Sequence, residues 1–312
     1  MASGRGGSIG IGKETTWGTA VAPTQFYNGT EAISEERGRL REAITFGSRA
    51  VQPADAGRLR ISGPISGVHA RPVGLGHLLR AALGAPTTTG ASAPYSHAFK
   101  PAATKFSAAA ALPPYSVTVK RDTGMIHRYS GGQLNRLTLT QPKDAALSVD
   151  TDWIAKGVAD VSDTVIVAET TQRFRYQHLA VLRDAAPFLT LESLTVTIEN
   201  NLETEELLNA SDEISGVDFG DSSIKIDMTM SFQSLADYGD FKANVTRPWK
   251  FTWTVDVGNS LELSIPRLNL DAFGAPISAA GRLTASASGQ AEFDAVAGHS
   301  LQATLKNSQA TY

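Results

Sequence analysis

Residues 7 to 13 carry the Gly-x-x-x-x-Gly-Lys spacing of a phosphate-cradling loop, the stretch whose residue types come nearest to nucleotide chemistry. The next residue is Glu14, where such a loop needs a Ser or Thr hydroxyl for magnesium, so a carboxylate would face the phosphates. No strand pattern precedes the segment and no helix pattern follows it, and a nucleotide site is set aside. The six histidines, His69, His77, His97, His127, His178 and His299, show no pair at metal-ligand spacing. Asp150 and Asp152 stand two apart, which on a strand puts both carboxylates on one face, suited to a cation or a glycosidase but common by chance. No Gly-x-Ser-x-Gly nucleophile elbow is present, and the acidic run from Glu203 to Asp221 lacks the EF-hand spacing. With no cysteine there is no disulfide, thiolate chemistry or Cys-based zinc site. These residues predict no catalytic centre, no metal and no cofactor.

The elements that carry them show a different kind of order. Residues 58 to 67 alternate apolar and polar, as a strand with one buried face does, and residues 223 to 232 repeat the pattern. Leu59 falls on Ile224, Ile61 on Ile226 and Ile65 on Met230 without a gap. Each stretch is followed by a helical pattern and then by a strand opened by a Pro-aromatic pair, Pro114-Tyr115 and Pro248-Trp249. A second echo sets Ala146 to Val149 against Arg282 to Ala285. The expected fold is mainly β: two tandem duplicated β-sandwich or barrel modules, each with one short packed α-helix. The expected division is an N-terminal arm over 1–30, a first β module over 31–165 with an insertion at 85–114, and a second β module over 166–312.

The first helix rests on Leu75, Leu78, Leu79, Ala82 and Leu83 at helical spacing, with Gly84 where a C-terminal cap belongs. The second, over 234–245, is weaker; Ser234 and Asp237 are placed as an N-terminal capping pair, with Leu235, Tyr238 and Phe241 as its apolar side. The insertion, rich in Ala, Pro, Ser and Thr, reads as a surface excursion with one strand at 95–99. Later strands are expected at 116–121, 127–130, 134–140, 146–154, 250–257, 261–265, 282–288 and 300–306, with residues 155–176 linking the modules.

Two long connections occupy matching places, and connections of more than about a dozen residues in a compact domain are usually functional or disordered. Residues 34–49 hold Arg37, Arg39, Arg41 and Arg49 against Glu35, Glu36 and Glu42. Residues 199–222 hold eight carboxylates, among them Glu203, Glu205, Glu206, Asp212 and Glu213, and no Lys or Arg. Such loops either stay solvated or meet neighbouring subunits, where opposite patches fix register more than they add affinity. A formal charge of −3 over 312 residues excludes a generally basic nucleic-acid binder. No apolar run is long enough for a membrane span or a secretory signal, so a cytoplasmic product without a membrane partner is expected.

The opening segment, Gly10-Ile11-Gly12-Lys13-Glu14 followed by Trp17-Gly18-Thr19 and Pro23-Thr24, resembles that of the tail tube (major tail) proteins of long-tailed bacteriophages. The resemblance implies a structural virion protein whose rings stack into a hollow tube through which DNA passes during ejection. Six modules usually make a ring, so a two-module chain implies three copies, with itself and other tail proteins as partners and DNA passing without specific binding. It further implies that Arg37, Arg39, Arg41, Glu203, Glu205, Glu206, Asp212 and Glu213 lie in loops that meet other subunits or the adjoining ring. Facing the bore are then Arg58, Arg60, Thr195, Thr197, Glu199, Ser223, Lys225, Asp227 and Thr229. Arg58, Arg60 and Lys225 depart from the acidic lumen the family favours. A carbohydrate- or receptor-binding β-sandwich of a tail tip is the other reading, and it requires a cluster of exposed aromatics that the scattered Trp and Tyr do not suggest.

Overall fold

The computed structural model describes residues 6–41, 51, 53–101, 112–122, 124–163, 165–208, 211–277 and 282–312. The first half opens with β1 (Ser8–Lys13), β2 (Gln25–Tyr27) and β3 (Thr30–Glu31), then the hairpin of β4 (Ser34–Arg41) and β5 (Ala54–His69). Helix α1 (Pro72–Leu83) leads to β6 (Thr87–Thr89), β7 (Tyr95–Phe99), β8 (Tyr115–Asp122), β9 (Met125–Gln141), β10 (Ser148–Ala155) and β11 (Gly157–Asp160). The second half carries β12 (Leu179–Arg183), β13 (Ala186–Pro187), β14 (Leu191–Glu199), β15 (Glu203–Glu205), β16 (Gly216–Asp218) and β17 (Ser223–Ser231). Helix α2 (Ala236–Lys242) precedes β18 (Arg247–Asp256), β19 (Asn259–Gly274), β20 (Thr284–Ala291) and β21 (Gln302–Asn307).

Two long strands organise these pieces, because each changes partners halfway. β9 pairs through residues 125–132 with β8 and β11, and through 133–141 with β10 and β14. β19 pairs through 259–265 with β18 and β21, and through 268–274 with β20. The pairing order β4-β5-β10-β9-β8 in the first half is therefore matched by β14-β17-β20-β19-β18 in the second. The β9–β14 ladder, Leu194 opposite Gln141 through Glu199 opposite Arg136, joins the halves edge to edge.

Alternation decides which face is buried. Leu194, Val196 and Ile198 of β14 and Ile224, Ile226, Met228 and Met230 of β17 point into a core that runs continuously through both halves. Helix α1 lies in that core: Pro72 sits at its first turn, Leu75, Leu78 and Leu79 are buried, and Gly84 closes it at φ 93°, a conformation that favours glycine. Each such leucine contributes about 1.5–3 kcal/mol by leaving water. The start of α1 is capped from afar, since the Glu169 carboxylate accepts hydrogen bonds from Val73 N–H at 3.0 Å and Gly74 N–H at 2.7 Å.

Several expectations change. Residues 8–13 are not part of a turn-rich arm but a buried strand flanked by β2 and β8. The first part of the connection expected over 34–49 is strand: β4 continues to Arg41, opposite Ala54, while every residue of β4 is exposed and shows no apolar alternation. Glu42 and Arg49 lie outside the described residues. The insertion is not wholly a surface excursion, because β7 pairs with β21 of the other half and buries His97 and Phe99. The linker region includes β11, paired to β9. Helix α2 is shorter than expected; Leu235 rather than Ser234 takes the N-cap position, and Asp237 pairs with Arg183. Among the described residues, no helix is long and apolar enough to cross a membrane.

Candidate assembly surfaces

Three surfaces stand out, and none is an enclosed catalytic pocket. The first is the polar face of the sheet. Across β10, β9, β14 and β17 it presents Asp150 and Asp152, then Arg136, Thr138 and Thr140, then Thr195, Thr197 and Glu199, then Ser223, Lys225, Asp227 and Thr229. Lys225 is exposed and the other β17 residues of this face are half-buried. Its charges are largely matched: Arg136 binds Asp152 at 2.5 Å and stands opposite Glu199, while Asp150 accepts a hydrogen bond from Gly67 N–H at 2.7 Å. The Asp150-x-Asp152 pair is thus occupied by the chain itself. Sequence reading placed β14 and β17 here but missed β9 and β10, which lie between them and β5 only through long-range pairing.

The second surface is the acidic segment after β14. β15 and β16 form a small hairpin of their own, with Glu203 directly opposite Asp218. The segment then folds back on the β4–β5 hairpin of its own chain. Arg37 meets Asp212 at 2.7 Å, Arg60 meets Glu206 at 2.8 Å, and Lys156 meets Glu213 at 4.0 Å. Leu59 N–H donates to Asp212 O at 2.7 Å, and Arg58 donates to the carbonyls of Glu213 and Leu207. Ile214 is buried as the apolar anchor. The hydrogen bond from Arg60 holds the Glu206 carboxyl below its ordinary range, and Glu206 in turn raises Arg60. Arg37, Arg39 and Arg41 are therefore strand residues rather than loop residues, and Arg58 is half-buried beside the acidic segment. Glu203 and Glu205 stand exposed on β15.

The third surface is a pair of open strand edges. Among the described residues, β4 pairs on one side only, with β5, and residues 269–274 of β19 pair on one side only, with β20. Beside the latter edge Tyr238, Phe241 and Phe273 gather, with ring centroids 5.9–6.5 Å apart. The sequence suggested no aromatic cluster; folding makes one from residues 35 positions apart.

The opening motif proves to be architectural. Glu14 is buried and accepts hydrogen bonds from Ser116 Oγ at 2.6 Å, Gly131 N–H at 2.8 Å and Gly18 N–H at 2.9 Å. Trp17 donates to Gly131 O at 3.0 Å, and the Lys156 ammonium lies 4.8 Å from its ring centroid. Lys13 donates to Tyr312 O, so both chemistry-bearing residues of the phosphate-loop look-alike fix strands. His77 is desolvated beside Arg80 and Lys13, which lowers its pKa to about 4. His127 lies 3.3 Å from Asp160 and 3.6 Å from Glu35, a neighbourhood the sequence did not reveal. No group of three or more metal-ligating side chains occurs among the described residues.

A one-faced antiparallel sheet with open edges and intrachain charge clamps defines a structural subunit. The family model for phage tail tube proteins matches residues 4–291, and the chain belongs to that family. It is a structural virion protein of the bacteriophage tail, where the family self-assembles with itself and other tail proteins into the tube. A search of curated proteins found no match.

Proposed function

We propose that three copies of this chain close a ring, that the two halves of each copy act as duplicated modules, and that stacked rings form the tube bore. The observation that carries the reading is the matched pairing order, which leaves β19 open at one end of the sheet and β4 open at the other. The β9–β14 ladder supplies the pattern for joining them: the free edge of β19 in one copy takes the β4 edge of the next. Closure covers these two edges, which would otherwise invite aggregation.

The polar face then lines the bore. Asp150, Asp152, Glu199 and Asp227 stand there against Arg136 and Lys225, and Arg60 is engaged by Glu206. Such a face gives phosphates no excess of cations to bind, so DNA passes without specific attachment. No catalytic role is assigned. Assembly in the cytoplasm of the host bacterium fits a chain with no cysteine to oxidise.

Stacking follows the polarity of the strands. Glu203, Glu205, Asp218 and Asp221 lie beyond the end where Glu199 of β14 stands opposite Ser223 of β17, while at the other end of the sheet His69, Arg71 and Arg173 line one cleft with Glu169. Burial, then Arg173 and Arg71, lowers the pKa of His69, as a positive neighbourhood should. The acidic end of one ring docks on the basic end of the next. Negative-stain microscopy and mass photometry at rising concentration test both steps, with trimer-sized rings and then tubes expected. Stable rings with another copy number overturn the three-copy reading. Replacing Glu203 and Glu205, which stand exposed on β15, by Gln should leave the monomer folded and stop tube growth; undiminished tubes would sink the stacking contact.

A further inference from the structure

We infer that Arg80, Tyr115 and His77 enclose a small inorganic anion of single charge and chloride size, held within one copy between the last turns of α1 and β8. The site does not depend on ring closure. Arg80 is only 8% exposed and Tyr115 is 0% exposed. Arg80 Nε and Nη1, Tyr115 Oη and His77 Nδ1 are all buried, and none has a partner in hydrogen-bonding geometry. His77 and Arg80 stand three apart on one face of α1, and the His77 ring meets the Tyr115 ring edge-on with centroids 6.2 Å apart. Lys13 joins them from β1, where it is the register partner of Tyr115.

The charge around this point is positive. Burial, then Arg80 and Lys13, lowers the His77 pKa, and burial, then Arg80, lowers that of Lys13. Burial raises the Tyr115 pKa, and Arg80 opposes the rise. Tyr312 closes the cluster, meeting His77 edge-on and accepting a hydrogen bond from Lys13 at its main-chain oxygen, while the His97 ring packs on Tyr312 in turn. Arg80 makes no ion pair among the described residues. Carboxylates of the adjoining elements are engaged elsewhere. Glu14 accepts from Ser116, Gly131 and Gly18, and Glu169 caps the first turn of α1, about 9 Å along the helix from Arg80. Outside the described residues the chain has a single acidic residue, Glu42, next to the end of β4.

A buried guanidinium stays protonated, so its charge has to be met where it stands, and burying it unpaired is strongly unfavourable. A water could accept two of these hydrogen bonds but would leave the charge unmet. The groups that converge are donors: Arg80 has no acceptor, and Tyr115 and His77 can each turn a proton inward. A species that only accepts and carries negative charge satisfies both requirements. Its size follows from the burial. No carboxylate of a second copy can reach Nε and Nη1 from outside, whereas a monatomic ion needs about the room of one water and can be enclosed as α1 packs.

The test is thermal unfolding of the full-length chain in sodium chloride, bromide and gluconate at one ionic strength and neutral pH, gluconate being too large to be enclosed. The melting temperature should be higher by about 2 °C or more in either halide and should rise with halide concentration, as for a ligand that binds only the folded chain. Arg80→Met fills the same space without charge and should melt at one temperature in all three salts, while Tyr115→Phe should weaken halide binding about tenfold. The absence of a halide shift in wild type, or an equal shift in wild type and Arg80→Met, overturns the site. Halide should also raise the His77 pKa from about 4, read by NMR, because a neighbouring anion favours the imidazolium; a value identical in halide and gluconate overturns it too. One measurement needs no variant. Crystals soaked in bromide should show an anomalous peak within hydrogen-bonding reach of Arg80 and Tyr115, and density for water alone at that place overturns the inference even if Arg80→Met fails to fold.

Discussion

Helices α1 and α2 follow β5 and β17, strands with matching places in the pairing order, yet the chain finishes them differently. α1 is enclosed by β9, β7, β21 and Tyr312, has its N-terminus capped by Glu169, and buries ten of its residues. α2 packs chiefly on β19, is tied to β12 and β18 only by the ion pairs Arg183–Asp237 and Arg247–Asp240, and buries no residue. The same supersecondary position is thus a piece of core in one half and a piece of surface in the other.

The contrast can be broken most sharply by deleting side chains from each helix. Leu79→Ala in α1 removes a fully buried leucine and should cost about 2–5 kcal/mol in chemical denaturation. Leu235→Ala beside α2 should stay within about 0.5 kcal/mol in the monomer. Equal losses would mean that the two helices are not differently enclosed.

Acid should act on the α1 side. His77 sits against the rings of Tyr312 and Tyr115, near Arg80 and Lys13, and burial with those cations lowers its pKa from 6.5 to about 4. The folded state therefore binds this proton more weakly than the unfolded state does. Its stabilising contribution is complete above pH 6.5 and is lost as pH falls from 6.5 through 4, by up to about 3 kcal/mol. His77→Phe should flatten the melting curve against pH in that window; an unchanged slope would assign the acid sensitivity elsewhere.

A smaller test makes one chemical change at two glycines. Gly76→Ala in α1 forces the Tyr312 ring off its hydrogen bonds and should destabilise by about 1–3 kcal/mol. Gly239→Ala in α2 meets nothing within 4 Å and should stabilise by up to about 1 kcal/mol through helix propensity. Melting temperatures moving in opposite directions would sharpen the comparison, and a shared sign would break it.

Much of this was legible before folding. The leucine stripe and Gly84 marked α1 nearly to the residue, and alternation marked the buried faces of β5, β14 and β17. Those signals are local, because a residue's side is fixed by the helix or strand period. β4 escaped notice because it is polar on both faces, so no apolar period announces it. The role of the acidic segment also escaped, since Asp212 and Glu206 find Arg37 and Arg60 some 150 to 175 positions away. The opening motif identified the family resemblance, but only packing showed why it is built that way: Glu14 and Trp17 tie the segment after β1 to Ser116 of β8 and Gly131 of β9.

The sequence by itself determined the period of each element, the absence of thiol chemistry and the echo between halves, all properties of neighbours along the chain. Tertiary structure decided which edges pair, which charges are consumed in cis, and which apolar residues remain uncovered. Those outcomes depend on strands distant in sequence meeting in one register, and a register is set by the whole sheet at once.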